Sequence, residues 1–442
     1  PDPVEDASIS SLLDAIPTDV SLSTEQQQFL LKPISKEIII SIISNSPLGK
    51  SPGLDGIPFE VYKYLMHSTP CVMELLLCVI QDAMLGVFPV SWTNTRMVLL
   101  YKKGDPELLQ NWRPLSLINC DAKIFTKLMA NRFNCVLPSL INPYQTGFMP
   151  FRLISDNGWL NQSIMSFLQK HAPNDPCVAV LLDQEKAYDR VHPHYLRMTL
   201  DRFGFPPSLV FSLCSLFFQT KISLSINGWL GSPIPQLRGL RQGDPLSPLL
   251  FNLAFEPLLR SILACPSLSG VRISPVPLRP SDSPCSSSDL ISHSPPPVKL
   301  LSYADDLEVF LTDPTEWDTL IALLTTYKEA SNGKINLSKT VLVSLSGVDH
   351  SSWSTIISNQ GAVWHTSSSA SAIRYLGYPL HSSKHQLTSF LNDITLKMTR
   401  QINILKERHL SIRGASLVAN SFLLSRTYHL LRVVPVPEKW SK

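Results

Sequence analysis

Two short apolar runs that carry acids constrain this chain more than any other feature in it. The first is Val178-Ala-Val-Leu-Leu-Asp183. The second is Leu300-Leu-Ser-Tyr303-Ala-Asp305-Asp306-Leu-Glu-Val-Phe-Leu311, where two β-prone stretches flank an Asp-Asp pair. The first reads as a buried strand delivering a carboxylate at its end, the second as a hairpin with both acids at its turn. Asp183 can equally cap the helix expected to follow it, and an Asp-Asp pair can be an ordinary polar turn. Adjacent carboxylates repel, however: at ~4 Å two like charges oppose each other by roughly 4 kcal/mol at an effective dielectric of 20. If Asp183 converges on Asp305 and Asp306, three oxygen donors meet in a set that suits Mg²⁺. Two such ions roughly 3.5–4 Å apart can activate a hydroxyl and stabilise a leaving pyrophosphate.

Between these runs lies Leu237-Arg-Gly239-Leu-Arg241-Gln242-Gly243-Asp-Pro245-Leu-Ser247, a Gly/Pro-rich loop opening an amphipathic helix that continues to Leu259. Gly243 lets the backbone approach a ligand closely, and Gln242 can hydrogen-bond a nucleotide. Pro245 and Ser247 stand where a helix starts. By itself the segment is equally a well-capped helix.

Composition narrows the class. Of 442 residues, 44% are hydrophobic, enough for a sizeable core and too many for wholesale disorder. No apolar run approaches the ~18 residues of a membrane span, and no signal peptide is visible. The eight cysteines are scattered without a CxxC pair, which predicts reduced thiols rather than a disulfide frame or zinc cluster. The net charge of +3 is unevenly spread. From His381 onward ten Lys/Arg face three Asp/Glu, a local +7, so the remainder sums to −4. A basic C-terminal block suggests a polyanion partner. Residues 1–35 look acidic and loosely patterned, with one short helix near Ile9–Ile16. Between Ser274 and Pro297, 15 of 24 residues are Ser or Pro, which predicts an exposed insertion loop. Leu387, Leu391, Ile394, Met398 and Ile402 recur on one helical face, and a second helix is expected from Ser411 toward Val434, ended by Pro435 and Pro437. The chain starts with Pro rather than Met and reads as a piece of a longer polypeptide.

The order of the Asp183 strand, the Gln242-Gly243 loop and Tyr303-Ala-Asp-Asp resembles motifs A, B and C of reverse transcriptases. The wording is similar to that of non-LTR (LINE-type) retrotransposon enzymes in Ser51-Pro-Gly-Leu-Asp55-Gly56, Asn111-Trp-Arg113-Pro114-Leu-Ser-Leu117, Gln145-Thr-Gly-Phe148, Leu182-Asp-Gln-Glu-Lys-Ala-Tyr-Asp189, Lys334-Ile-Asn336 with Lys339, and Tyr375-Leu-Gly377. The likeness runs from about Leu31 to Pro437. It implies an α+β right-hand polymerase: fingers, a palm of antiparallel sheet packed on helices, and a helical thumb. The expected divisions are an N-terminal extension (1–45), fingers and the start of the palm (46–175), palm with the Ser/Pro loop (176–380), and a truncated thumb (381–442).

The resemblance also implies roles. Asp183, Asp305 and Asp306 match the catalytic, metal-binding aspartates, with two Mg²⁺ expected and Mn²⁺ an alternative. Tyr188 matches the aromatic gate against a ribose 2′-hydroxyl. Together with Ala304 it favours DNA synthesis over the RNA synthesis of RNA-dependent RNA polymerases. Lys102, Lys103 and Arg113 match residues that grip the anionic triphosphate, beside Gln242 and Gly243 at the nucleotide. Lys102 and Lys103 can equally be solvated turn residues. Lys123, Lys127 and Arg132 face template phosphates or are simply a solvated helix face. Lys339 matches a general acid for pyrophosphate, or a surface lysine. Tyr375 and Gly377 match the primer grip. Arg400, Lys406, Arg408 and Arg413 would follow the duplex backbone without reading sequence. One position departs from the pattern: Phe151 stands where the family usually has Gly, and a positive φ there would strain it.

The function implied is an RNA-directed DNA polymerase that copies element RNA into cDNA, in target-primed reverse transcription. Its partners are an RNA template, a DNA primer or target DNA and dNTPs, with no membrane partner. Localisation is expected to be nuclear from the family's way of life. The alternatives are an inactive relic that binds RNA without catalysis, and a group II intron-type maturase. Template and target specificity, and the oligomeric state, are not legible.

Overall fold

The computed structural model describes residues 3–273 and 295–441. Two five-stranded sheets and a two-stranded hairpin are set among helices, a mixed α/β architecture. One sheet comprises β1 (Asn94–Tyr101), β2 (Trp112–Leu117), β4 (Thr220–Ile226), β5 (Trp229–Leu230) and β6 (Ile234–Gln236). In it β1 pairs antiparallel with β2 and parallel with β4.

The second sheet holds β3 (Val178–Leu182), β7 (Leu300–Tyr303), β8 (Asp306–Leu311), β9 (Val341–Ser344) and β10 (Val363–His365), ordered β10-β9-β3-β8-β7. Every pairing is antiparallel except β9 with β10. β3 is central, which explains its unbroken apolar run: both its faces are covered. Val178, Val180 and Leu182 join Leu307, Val309 and Leu311 in the main core, with the helices Cys120–Leu140, Pro193–Arg202, Ser247–Ala264 and Glu316–Ser331. On the other face Ala179, Leu301, Phe310 and Val343 meet Ile164, Met165 and Leu168 of the helix Ile154–His171. Burying each large apolar side chain stabilises by about 1.5–3 kcal/mol, enough to hold acids crowded at the end of this sheet.

The N-terminal region is more ordered than its sequence suggests. Helices span Asp6–Asp14 and Thr24–Leu31. Ile9, Leu12, Leu13 and Ile16 are buried in the main core, because helical spacing gathers the few apolar residues of this acidic segment onto one face. At the other end, a helix spans Lys384–Lys406. Helical backbone then runs from Ile412 to Leu431 through a π-helical turn at Ala419–Leu424, and stops before Pro435. Tyr378 of the hairpin β11 (Ile373–Tyr375) and β12 (Tyr378–Leu380) packs with Phe390, Leu391, Leu430, Val433 and Val434.

The Ser/Pro-rich stretch, apart from Pro295–Pro297, lies outside the described residues. The seven cysteines among the described residues are free thiols. Among the described residues no single helix is long and apolar enough to cross a membrane.

Candidate active site

The sheet brings distant acids to one end. Asp183 directly follows β3, and its neighbour Gln184 donates from Nε2 to the carbonyl of Asp305 at 3.3 Å. The Asp183 carbonyl accepts from Asn336 N at 2.8 Å, and its Oδ2 lies 3.5 Å from Lys339 Nζ. Tyr303 and Asp306 are cross-strand partners, so Ala304 and Asp305 make a two-residue turn. Ala304 has φ +54°, a left-handed conformation for a residue with a Cβ. Burial raises the Asp305 carboxyl above its ordinary range; its own backbone hydrogen bond opposes this, Asp183's charge adds to it, and Arg113 and Lys102 moderate it. Asp306 is pushed up to about 6 by burial and by the charges of Asp305 and Asp183. The charges of Asp183, Arg113 and Lys102 therefore reach Asp305, and those of Asp305, Asp183 and Lys102 reach Asp306.

Tyr188 stacks on Phe251, with ring centroids 4.8 Å apart, and Asp305 adds to the burial that raises its hydroxyl. The ring is held by the helix that follows the glycine loop. That loop is tied down twice. Gln242 accepts at its carbonyl from Ser116 N at 2.8 Å and donates from Nε2 to Asp189 Oδ1 at 3.3 Å. Gly243 has φ +106°, and a Cβ there would stand 3.0 Å from the Ser116 carbonyl oxygen. A side chain there would be strained in conformation and tightly placed.

Beside Gly243 opens a cleft of about 610 Å³, lined among others by Lys50, Lys123, Lys127, Asn131 and Pro245. Lys123 Nζ also donates to the Ser51 carbonyl at 3.2 Å. Lys50 was not singled out by motif, although it immediately precedes Ser51-Pro-Gly. Arg132 does not join this row. It is buried and its guanidinium donates to the Leu30 and Lys32 carbonyls, so the expected template contact is replaced by a lock on the N-terminal segment. Helical periodicity decides this: five residues apart, Lys127 is on the exposed face of its helix and Arg132 on the packed one.

Tyr375 is likewise corrected. It is buried in the smaller core beneath the sheet, where burial and the Glu308 and Asp306 carboxylates raise its hydroxyl. Its side chain cannot reach a nucleic acid there. Gly377 remains exposed, with φ +87°, and a Cβ on it would stand 2.9 Å from His429 Nε2. His429 stacks on Tyr378 at 4.2 Å and donates from Nε2 to the Leu376 carbonyl at 3.0 Å. The glycine thus serves the joint between the β11–β12 hairpin and the C-terminal helices. Arg408, in the turn after the helix Lys384–Lys406, and Arg413, in the first turn of the helix Ile412–Val418, are both exposed, far along the chain from the acids.

The position of Phe151 is a left-handed one, with φ +61° and the ring wholly exposed. Two buried groups escaped sequence reading. Glu308 faces the smaller core in β8, paired with Asn161, and burial pushes it up to about 8. Gln145 is fully buried against the Ala304 turn. The signal for Glu308 was an acid inside an apolar strand; for Gln145 it was only its place in a motif.

The chain matches the family "Reverse transcriptase (RNA-dependent DNA polymerase)" over residues 101–380, more than half its length. It is 29% identical over 441 residues to the 149 kDa protein of transposon TX1 from Xenopus laevis, covering 99% of this chain and 31% of that protein. It is 30% identical over 233 residues to the Pol polyprotein from type-2 retrotransposable element R2DM of Drosophila melanogaster (52% of this chain, 21% of that one). Over 233 residues it is 27% identical to the RNA-directed DNA polymerase from mobile element jockey of Drosophila melanogaster (52% and 25%). The chain spans less than a third of the length of these relatives. With the acids, the glycine loop and the motif order all in place, this chain belongs to the reverse transcriptase family, alongside the polymerases of non-LTR retrotransposons.

Proposed function

We propose that this chain copies RNA into DNA, the sheet β10-β9-β3-β8-β7 acting as palm, β1 and β2 with their connecting loop as fingers, and the helices after Lys384 as thumb. The observation that carries the reading is the meeting of Asp183 and Asp305 at the end of one sheet, within reach of Lys339, Arg113 and Lys102. Among the described residues no three acids, histidines or cysteines close on one point as a metal cage would. The convergence of Asp183, Asp305 and Asp306 into one three-carboxylate set, expected from the sequence, is therefore not met; Mg²⁺ needs only one or two carboxylates beside waters and substrate phosphates. Asp183 and Asp305 would hold it, with Asp306 adding negative charge behind them; bound there, the ions supply activation of the primer hydroxyl and charge stabilisation.

The chain's own residues do the rest. Arg113 and Lys102 draw in the triphosphate. The 3′-hydroxyl oxygen attacks the α-phosphorus and gives up its proton to solvent, the bond from that phosphorus to the oxygen bridging to the β-phosphate breaks, and Lys339 donates a proton to the leaving pyrophosphate. Tyr188, braced by Phe251, occupies the space a 2′-hydroxyl would need. Lys50, Lys123 and Lys127 line a path for template phosphates, and Arg408 and Arg413 follow the duplex. Primed at a nick in nuclear target DNA, the same step would be target-primed reverse transcription. The test is Mg²⁺-dependent primer extension on an RNA template. Incorporation of dNTPs only, relaxed toward rNTPs in Tyr188→Ala, is expected. Absence of incorporation, or equal incorporation by Asp305→Ala, would refute the reading.

A further inference from the structure

Gln145 uses every hydrogen-bonding position of its side chain on the catalytic turn and its cradle. Its Oε1 accepts from Ala304 N at 2.8 Å and Gly147 N at 2.9 Å. Its Nε2 donates to Ser302 Oγ at 2.9 Å and to the Ala304 carbonyl at 3.1 Å. Two N–H groups against one end and a carbonyl against the other leave the amide a single workable orientation. Both backbone groups of Ala304 are thus gripped by one side chain, and Ala304 is the left-handed residue that turns the chain into Asp305.

The surroundings fix the grip. Thr146 N donates to the Ser302 carbonyl at 2.9 Å and Ser302 N to the Tyr144 carbonyl at 3.0 Å, so this segment runs along β7 as an added edge. Asn157 Nδ2 also donates to the Ser302 carbonyl at 2.9 Å, and Asn252 Nδ2 to the Gly147 carbonyl at 2.6 Å. Gly147 is pressed so closely that a Cβ would stand 2.2 Å from Ala304 N.

We infer that Gln145 is a positioning residue for nucleotidyl transfer, whose carboxamide locks Ala304 in the left-handed conformation that aims Asp305. The inference rests on the polymerase reading above. Gln145 touches Ala304, the residue before Asp305, and nothing in the reaction itself, yet a misplacement of about 1 Å can cost about 10²-fold in rate.

The test compares the wild-type chain, Gln145→Met, Gln145→Glu, Ala304→Gly and Gln145→Met/Ala304→Gly in primer extension on RNA. Gln145→Met keeps the bulk and loses the amide; Gln145→Glu keeps the two accepting contacts and loses both donors. Both are expected to lower kcat about 30- to 100-fold, to raise the Mg²⁺ concentration for half-maximal rate, and to leave primer–template Kd within about twofold. Glycine adopts a positive φ freely, so Ala304→Gly in the Met background is expected to recover about tenfold. Wild-type rates in both single variants, loss of rate matched by loss of duplex binding, or no recovery in the double variant would overturn the inference. No extension by the wild-type chain would instead overturn the polymerase reading on which it rests.

Discussion

Ala304 and Phe151 share a left-handed φ, +54° and +61°, in opposite surroundings. A left-handed residue with a Cβ is disfavoured by about 1–2 kcal/mol. At Ala304 the strain is buried and held by Gln145 on both backbone groups. At Phe151 the ring stands in solvent, and what secures the loop is the next residue: Arg152 donates to the carbonyls of Ile141, Asn142 and Gln145. One strained turn is over-determined because it must aim a carboxylate; the other carries its strain locally. Strain by itself does not mark function; strain held by a dedicated hydrogen-bonding partner is what motivates the functional reading of Ala304.

The sharpest way to separate the two turns is to remove the acid that one of them aims. Asp305→Asn is expected to lower extension by about 10³-fold or more, with thermal stability unchanged or raised, since a buried charge is removed. A parallel loss of stability would mean the turn is structural and not a strained functional device. Gly147→Ala should be next: its Cβ collides with the Ala304 backbone, so denaturant unfolding is expected to show a loss of about 3 kcal/mol.

Glu308 probes the layer beneath the catalytic turn through pH. Its folded carboxyl sits at about 8, above the ~4.3 of an unfolded chain. Its protonated form is therefore the stabilising one below the unfolded value, and that contribution is lost as pH rises toward about 8. Relative to Glu308→Gln, the wild type should lose roughly 1.4 kcal/mol per pH unit across that window. A flat difference in urea midpoints between pH 5 and 8 would contradict this. The smallest effect is expected from Phe151→Gly. Relief of the left-handed strain, less the extra freedom of an unfolded glycine, should leave a gain of up to about 1 kcal/mol. Extension should stay within about twofold. A tenfold rise in rate would show that the two turns are coupled and break the contrast between them.

Much of the site was legible because its chemistry is local. An apolar run ending in an acid, a hairpin with one acid in its turn (the second, Asp306, opens the strand that follows instead of sharing the turn), and a glycine where the backbone needs φ +106° are each properties of a few consecutive residues. Where the reading failed, the deciding neighbour was distant. Arg132 turned inward because the Leu30 and Lys32 carbonyls lie there, about 100 residues earlier in the chain. Tyr375 went into the core because β11 packs under the sheet, which its own short pattern does not declare.

The sequence by itself determined the acids, their order and the strands that carry them, since burial of β-prone apolar runs leaves few alternatives. It also determined the family, through motif order. Only the tertiary structure decided that Lys339 would stand 3.5 Å from Asp183 across 156 positions of chain, and that Gln145 would close on Ala304 across 159. Those pairings arise from strand register in a sheet whose central strand is covered on both sides. A shift of one residue in that register would turn every side chain to the other face, so the packing of the whole sheet sets the geometry of its few polar contacts.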